Sequence, residues 1–406
     1  MAAHPAAVLR STTEIRTRAH YLLTRARAGS SAWFTVHDDA MGGAAGEVAD
    51  LTAARFPDLV IPFHSRWRHF EAGGVDRKRQ LDGLLADLDG AGRARAMIDL
   101  TVVSVLLDAG AGPDWSYRET GTGLEFTRSE GLGVASWHAF TAGVFSSDPA
   151  RPLQADAAGL TGLDTSRLAA HFQLGPANAL VGFDGRVNVL RGLGAALADQ
   201  PEVFGAPGRP GGLFDLLVPD PAAPAVAAED ILTALLSSLS RIWLADNAID
   251  GEPLGDCWRH QAVPGVGGTD GWVPFHKLSQ WLTYSLLEPF GWAGAQVSGL
   301  HALTGLPEYR NGGLFLDAGV LRLRDPDWSE RAWIPADELV VEWRALTVAL
   351  LDELAVLVRH RLGVTDEQLP LACVLEGGTW AAGRALAQRL RAGLPPLTVI
   401  SDGTVF

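Results

Sequence analysis

The chain has 406 residues, 47% hydrophobic and 20% charged, which supports a sizeable buried core in one large body or in two or three average domains. Its formal net charge of −14 excludes general nucleic-acid binding, which demands a surplus of clustered Lys and Arg, but leaves room for a local basic pocket for one small anion. The cysteines, Cys257 and Cys373, are far apart, which excludes a disulfide framework and a Cys-based zinc site and fits a reducing, cytoplasmic setting. No apolar run reaches the roughly 18–20 residues of a membrane span, so no membrane partner is expected.

The first 29 residues are arginine-rich with Glu14 as their only acid, a composition shared with transit segments. However, Ile15, Ala19, Leu22, Leu23 and Ala26 fall on one helical face, so the spacing favours an amphipathic first helix. The run MIDLTVVSVLLDAG (97–110) suits a buried helix or a strand; helix is favoured because no other strong strands accompany it. The Gly- and Pro-rich stretch 205–228 could link domains, but the polar-aromatic tracts on both sides favour a surface excursion within one body. Ile231, Leu232, Leu235, Leu236, Leu239, Ile242 and Trp243 form one helical stripe, and Val340, Trp343, Leu346, Leu350, Leu354 and Leu357 another. LFLDAGVLRLRD (314–325) predicts a hairpin turning at Asp317-Ala318-Gly319, and the tail 397–406 alternates and carries an Asp-Gly turn signal. With no internal repeat or heptad, the expected fold is mainly α: a single helical body over 1–406 with short β-hairpins.

Four segments depart from a plain core pattern. In 61–79, His64, Arg66, Arg68 and His69 surround Trp67, ahead of Arg77, Lys78 and Arg79. Such a cluster suits an anion cradle, since guanidinium forks match phosphate oxygens; the other reading is a solvated loop salt-bridged to an acidic surface. In 106–140, Asp108 and Asp114 flank a Gly-rich turn, followed by Trp115, Tyr117, and Arg128 and Glu130 opening a helix. Aromatics beside carboxylates suit a polar ring or sugar, while Glu130 could equally just favour the helix dipole. In 268–290, Lys277, Gln280, Tyr284 and Glu288 share a helix face, and the flanking aromatics, Trp281 among them, suggest a buried pocket wall rather than a solvated stripe. In 303–317, Glu308, Tyr309 and Arg310 precede Gly312-Gly313 as loop residues at a site mouth.

Walker, G-x-G-x-x-G, H-E-x-x-H and G-x-S-x-G signatures are absent, and no histidine pair has metal spacing, so neither metal nor cofactor is expected. The strings IPFHSRWRHFEAGG, DWSYRETGTG, RSEGLGVASWHAF, VPFHKLSQWLTYSLLEPF, GLPEYRNGGLFLD and EGGTW, with the closing SDGTVF, resemble the uracil-catabolism proteins of fungi and bacteria nearly end to end. That resemblance implies a pathway in which uracil is ribosylated and phosphorylated, a protein like GTP cyclohydrolase II opens the ring, and urea is among the products. The implied partners are a small ribosyl-phosphate substrate and other enzymes of the route, namely the cyclohydrolase-like protein and a uracil phosphoribosyltransferase. A second resemblance is to the queuosine salvage glycosidases, with their K-R-A-Q helix, A-D-Y-R loop and E-I-R-A helix. Lys277-Leu278-Ser279-Gln280, Pro307-Glu308-Tyr309-Arg310 and Glu342-Trp343-Arg344-Ala345 follow in that order, with Glu308 where that family carries Asp. This likeness implies a helical, DNA-glycosylase-like fold and an N-glycosidase acting on ribosylurea 5-phosphate.

On that reading Glu308 is the catalytic carboxylate, and Lys277 and Arg310, helped by His276, hold the phosphate. Asp108 or Asp114 with Trp115 holds the urea end. Glu342 is either a second catalytic acid or half of a buried pair with an Arg. The competing readings are an amidohydrolase of the opened pyrimidine ring, which would lack its usual metal cluster or nucleophile triad, and a non-catalytic partner of the ring-opening enzyme, which would show a large exposed apolar patch.

Overall fold

A computed structural model of the chain describes residues 4–108, 110–243 and 245–400. It is mainly helical, and its strands are short, paired among the described residues into six two-stranded ladders. The chain forms two compact units: the first takes 1–64, 246–280 and 299–401, the second most of the remainder, 65–245 and 281–298.

The first unit is built on one long helix, Glu338–Leu362, buried along most of its length and closed by Gly363 in the left-handed region at φ 69°. Against it lie the helices Thr12–Arg27 and Met41–Arg55. The first is capped by Ser11, whose hydroxyl accepts from the Glu14 N–H at 3.2 Å, and the five apolar residues read from its spacing are all buried. The second presents Ala44, Ala45, Val48 and Ala49, small side chains that bring its backbone close to its neighbours. In the predicted 340–357 stripe only Leu357 is exposed.

The hairpin expected over 314–325 does not form. Tyr309–Asp317 is a helix, Gly319 follows it at φ 76°, and Leu321–Leu323 pairs antiparallel with Phe34–Val36, far away in sequence. The glycine is there to leave a helix rather than to turn between adjacent strands, a distinction local sequence does not carry. The Tyr309–Asp317 helix packs on Trp380–Arg391 so tightly that a Cβ on Gly383 would collide with the Arg310 carbonyl. The start of the tail pairs, Thr398–Val399 running parallel to Ala332–Trp333; its Asp-Gly signal lies outside the described residues.

In the second unit, the 97–110 run belongs to the buried helix Gly90–Leu106, capped by Asp89. The 231–243 stripe is the helix Ala228–Leu239 continued by a tight 3₁₀ turn to Ile242. The stretch 205–228 lies within this unit and is partly buried: Gly212–Leu217 is helical with Leu213 and Phe214 inside, and Ala225–Ala227 pairs in parallel with Gln296–Ser298. Asp99, fully buried, anchors it by accepting from Arg209 Nε at 2.8 Å and the Gly211 N–H at 2.7 Å, and burial raises its carboxyl to about 6.

Gly383→Ala should therefore destabilise the chain by about 1–3 kcal/mol, the scale of forced overpacking, and lower the thermal midpoint. Alanine at Gly42, which has open space around its Cα, is the control and should leave that midpoint in place or raise it.

Candidate active site

One carboxylate organises the first unit's polar interior. Asp256, buried, takes both arms of Arg344 in a bidentate pair at 2.7 and 2.8 Å, the Lys277 N–H at 2.9 Å and the Trp258 indole N–H at 2.7 Å. Burial alone would raise its pKa, but the Arg344 charge and these donors outweigh it and hold the carboxyl below the usual range. The Asp256 carbonyl also receives the Phe275 and His276 N–H groups, which sets the entry into the helix Lys277–Trp292. His276 itself is buried at φ 47°, with Nε2 donating to the Leu9 carbonyl at 2.9 Å, and burial pushes its imidazole below the ordinary range. A neutral ring used up in this way does not serve as a phosphate cation.

Arg344 also donates Nε to the Pro307 carbonyl at 3.3 Å, and the next residue is Glu308. Glu308 caps the Tyr309–Asp317 helix, its two oxygens accepting from the Arg310 and Asn311 N–H groups at 2.6 Å each. The residue as a whole is half-buried, and burial of its carboxyl raises it above the usual range against the two donors and the charges of Lys277 and His64. Several buried polar atoms on neighbouring residues lack a partner among the described residues. Gln280 receives the Thr304 N–H at a long 3.4 Å through Oε1 while its Nε2 is unmet. Asn311 donates Nδ2 to the Leu306 carbonyl at 3.1 Å and leaves Oδ1 unmet. Arg310, buried against Tyr309, donates to the Gly393 carbonyl at 3.3 Å and, among the described residues, leaves Nε unmet. Such atoms are costly without a partner, so they are the places where ligand groups would be welcome.

His64 joins this set from a different part of the chain. Its backbone N–H donates to the Ala372 carbonyl and its Nδ1 to Glu376 at 2.8 Å. Glu376 sits in a π-helical turn, Leu375–Thr379, and its ring neighbour is Trp380, 6.5 Å from the imidazole centroid. Glu342, by contrast, is enclosed in a network of its own: it accepts from the Ser31 hydroxyl and from His260 Nε2 at 2.8 Å. Among the described residues the partners of this buried carboxylate are Ser31 and His260 rather than an arginine.

The remaining candidates lie in the second unit. The basic run read as an anion cradle carries carboxylate partners, but Arg66 and Arg77 are fully buried in short helices rather than in a solvated loop. Arg68 pairs with Glu288 at 2.8 Å, Arg77 with Glu119 at 2.7 Å and Lys78 with Asp82 at 2.6 Å. Arg66 is fully buried: it donates Nε to Ser104 at 2.6 Å and Nη1 to the Ser129 carbonyl at 3.1 Å, and lies 3.2 Å from Asp108. Burial lowers its pKa against the charges of Asp108 and Glu130, and the Trp281 ring lies 5.7 Å away. Trp115 is a core residue, donating to the Phe172 carbonyl and stacked on that ring at 6.2 Å, so it offers no platform for a sugar. Tyr117 stacks on His138, and burial pushes its hydroxyl up to about 12. Asp114 and Arg128 are exposed. The structure thus groups Glu308, Lys277, Gln280, Tyr309, Arg310 and His64 in one unit, and Arg66, Asp108 and Trp281 in the other.

A protein-family profile described as "Protein of unknown function (DUF1688)" matches residues 8–406, nearly the whole chain. The chain belongs to this family. Among similar proteins, "Uracil catabolism protein 4" of Lachancea kluyveri is 40% identical over 380 residues, covering 85% of each chain. "Protein urg3" of Schizosaccharomyces pombe is 39% identical over 417 residues, covering 100% of each. The EGGTW string of this chain falls on the π-helical turn that carries Glu376 and leads into Trp380.

Asp256, Asn311, Glu376 and Trp380 do not emerge from residue patterns. Asp256 is one of four acids between 246 and 256, and nothing local says that it is the one that meets Arg344, 88 positions on. Glu376 and Trp380 lie in EGGTW, a string with no chemical signature of its own. Asp256→Asn should leave Arg344 buried without its counter-charge and cost about 3–5 kcal/mol at pH 7. The folded pKa of Asp256 is depressed, so its contribution is present above the ordinary value near 3.9 and is lost as pH falls through the folded value. Denaturant titrations of both proteins should show a gap that holds from neutrality to mild acid and closes only in strong acid.

Proposed function

We propose that the chain acts in uracil catabolism as an N-glycosidase that hydrolyses ribosylurea 5-phosphate to urea and ribose 5-phosphate. The printed name of the Lachancea relative supports the pathway. The observation that carries the chemistry is the enclosed Glu308 carboxylate, fixed by two N–H donors beside Lys277 and His64. Cleaving the C1′–N bond builds positive charge on the sugar, and a preorganised carboxylate either stabilises that charge or draws a proton from the attacking water. Lys277 and Arg310 are the cations assigned to the phosphate, which lets binding energy remote from the bond position the sugar. The unmet amide atoms of Gln280 and Asn311 suit a ligand with both donors and acceptors, as a ureide has. This reading carries with it the helical, glycosylase-like fold of the salvage enzymes, a cytoplasmic setting, and the ring-opening enzyme as supplier of the substrate.

The purified protein, given synthetic ribosylurea 5-phosphate, should release urea and ribose 5-phosphate in equal amounts. Glu308→Gln should cut turnover by roughly 10²- to 10³-fold, the scale of removing one preorganised electrostatic group, with a much smaller effect on binding. Glu308→Asp should retain part of the activity. Near-normal turnover by Glu308→Gln would end the assignment of this carboxylate. Lys277→Ala should weaken binding of ribose 5-phosphate by about 10- to 100-fold, the loss of one charge-assisted contact, as read by calorimetry.

A further inference from the structure

The His64–Glu376 pair has no role in the account above, although its setting is unusual for a surface ion pair. The His64 side chain retains only 12% of its exposure and that of Glu376 14%. The ring is held at two levels, by its backbone N–H on the Ala372 carbonyl and by Nδ1 on Glu376 at 2.8 Å. Glu376 is itself fixed: Arg55 reaches its side chain at 3.3 Å and the Glu376 and Gly377 carbonyls at 2.6 and 2.9 Å. The π-helical turn under it is packed through Gly377 and Gly378 onto Val48 and Thr52, with no room for a Cβ at Gly378. Turns of this kind recur where a helix must aim a functional side chain. With Nδ1 committed to the carboxylate, the tautomer is set and Nε2 is left as the working nitrogen; it makes no hydrogen bond among the described residues. Lys277 and, when it is protonated, His64 both favour the charged form of the Glu308 carboxyl.

We propose that His64, oriented by Glu376, is the general acid that protonates the departing nitrogen while Glu308 serves the sugar side. The inference rests on the N-glycosidase reading and supplies what that reading lacks, since a urea nitrogen is too basic to leave as an anion. In the step, the C1′–N bond breaks and its electron pair goes to the nitrogen, which takes the proton from Nε2 of the imidazolium. Water forms the new C1′–O bond and gives its proton to Glu308. Return of that proton through solvent to His64 restores both groups, and the sum is substrate plus water to urea plus ribose 5-phosphate. Glu376 is a positioning residue, acting through the ring.

The test compares two substrates of the full chain: ribosylurea 5-phosphate, and 4-nitrophenyl riboside 5-phosphate, whose phenolate leaves without a proton. His64→Ala should lower kcat/KM on the ureide by roughly 10²- to 10⁴-fold, the usual worth of a positioned acid. The ratio of ureide to nitrophenyl rates should fall at least 100-fold. Glu376→Gln should move that ratio the same way by a smaller factor, whereas Glu308→Gln should depress both substrates alike. Equal losses on both substrates in His64→Ala, or an unmoved ratio in both His64→Ala and Glu376→Gln, would overturn the acid role while leaving the glycosidase intact. Cleavage of the nitrophenyl compound alone by the wild type would refute both ribosylurea as substrate and His64 as the acid for it. Cleavage of neither compound overturns the glycosidase and the acid together.

Discussion

Everything in the candidate site is indexed to one buried ion pair, Asp256 with Arg344. Arg344 belongs to the long helix at the centre of the first unit, and Asp256 stands at the head of the short strand Cys257–Arg259, whose partner strand Trp272–Pro274 leads into the Lys277–Trp292 helix. Their two parallel hydrogen bonds fix where that helix begins, and hence where Lys277 stands. The third arm of the same guanidinium holds the Pro307 carbonyl and so places Glu308. A buried bidentate pair is a poor source of net stability, because desolvation consumes most of the Coulombic gain. What it provides is uniqueness of geometry. With the planar fork satisfied on three sides, the loop and the helix start have one arrangement relative to each other, which catalysis needs more than it needs extra stability.

The mainly helical character was legible because it rests on a period visible within a dozen residues. Ile15 to Ala26 and Val340 to Leu354 are buried as their spacing says. The hairpin expected at 314–325 fails for a local reason: Gly319, which has the look of a turn signal, instead takes φ 76° just after the Tyr309–Asp317 helix and lets the chain leave it for a distant strand partner. The site divides along the same line. Lys277, Gln280, Glu308 and Arg310 were marked by a resemblance in three short motifs, whereas Asp256 and Glu376 owe their importance to partners far along the chain. Charge clusters misled for a related reason. The cations at 66–78 look unpaired in sequence because their acids, Asp108, Glu119 and Glu288, are supplied by other elements of the fold.

Glu308 illustrates how one residue is asked to do two things. As a cap it satisfies two N–H groups at the head of a helix, a task usually given to Ser, Thr, Asp or Asn. A glutamate can do it only by folding its longer side chain back over the first turn, which brings its carboxyl into an enclosed space. The donors that hold it still also favour its charged form, while burial disfavours that form. The result is a carboxylate that is immobile yet poorly solvated, and such a group responds strongly to positive charge developing nearby.

The π-helical turn gives the chain an uncommon kind of sensitivity. Between Leu371–Val374 and Trp380–Arg391 the helix carries surplus length in a single turn, and each residue of an α-helix advances the direction of the next side chain by about 100°. Losing one residue there would leave every hydrogen-bonding group available and every side chain chemically unchanged. It would nevertheless let the turn close into regular α-helix, re-aiming Glu376 away from His64 and drawing the Gly377–Gly378 backbone off Val48 and Thr52. Here the number of residues is itself part of the specification. A deletion of one glycine would be more damaging than the replacement of most of its neighbours, and it would read in a sequence comparison as a minor gap.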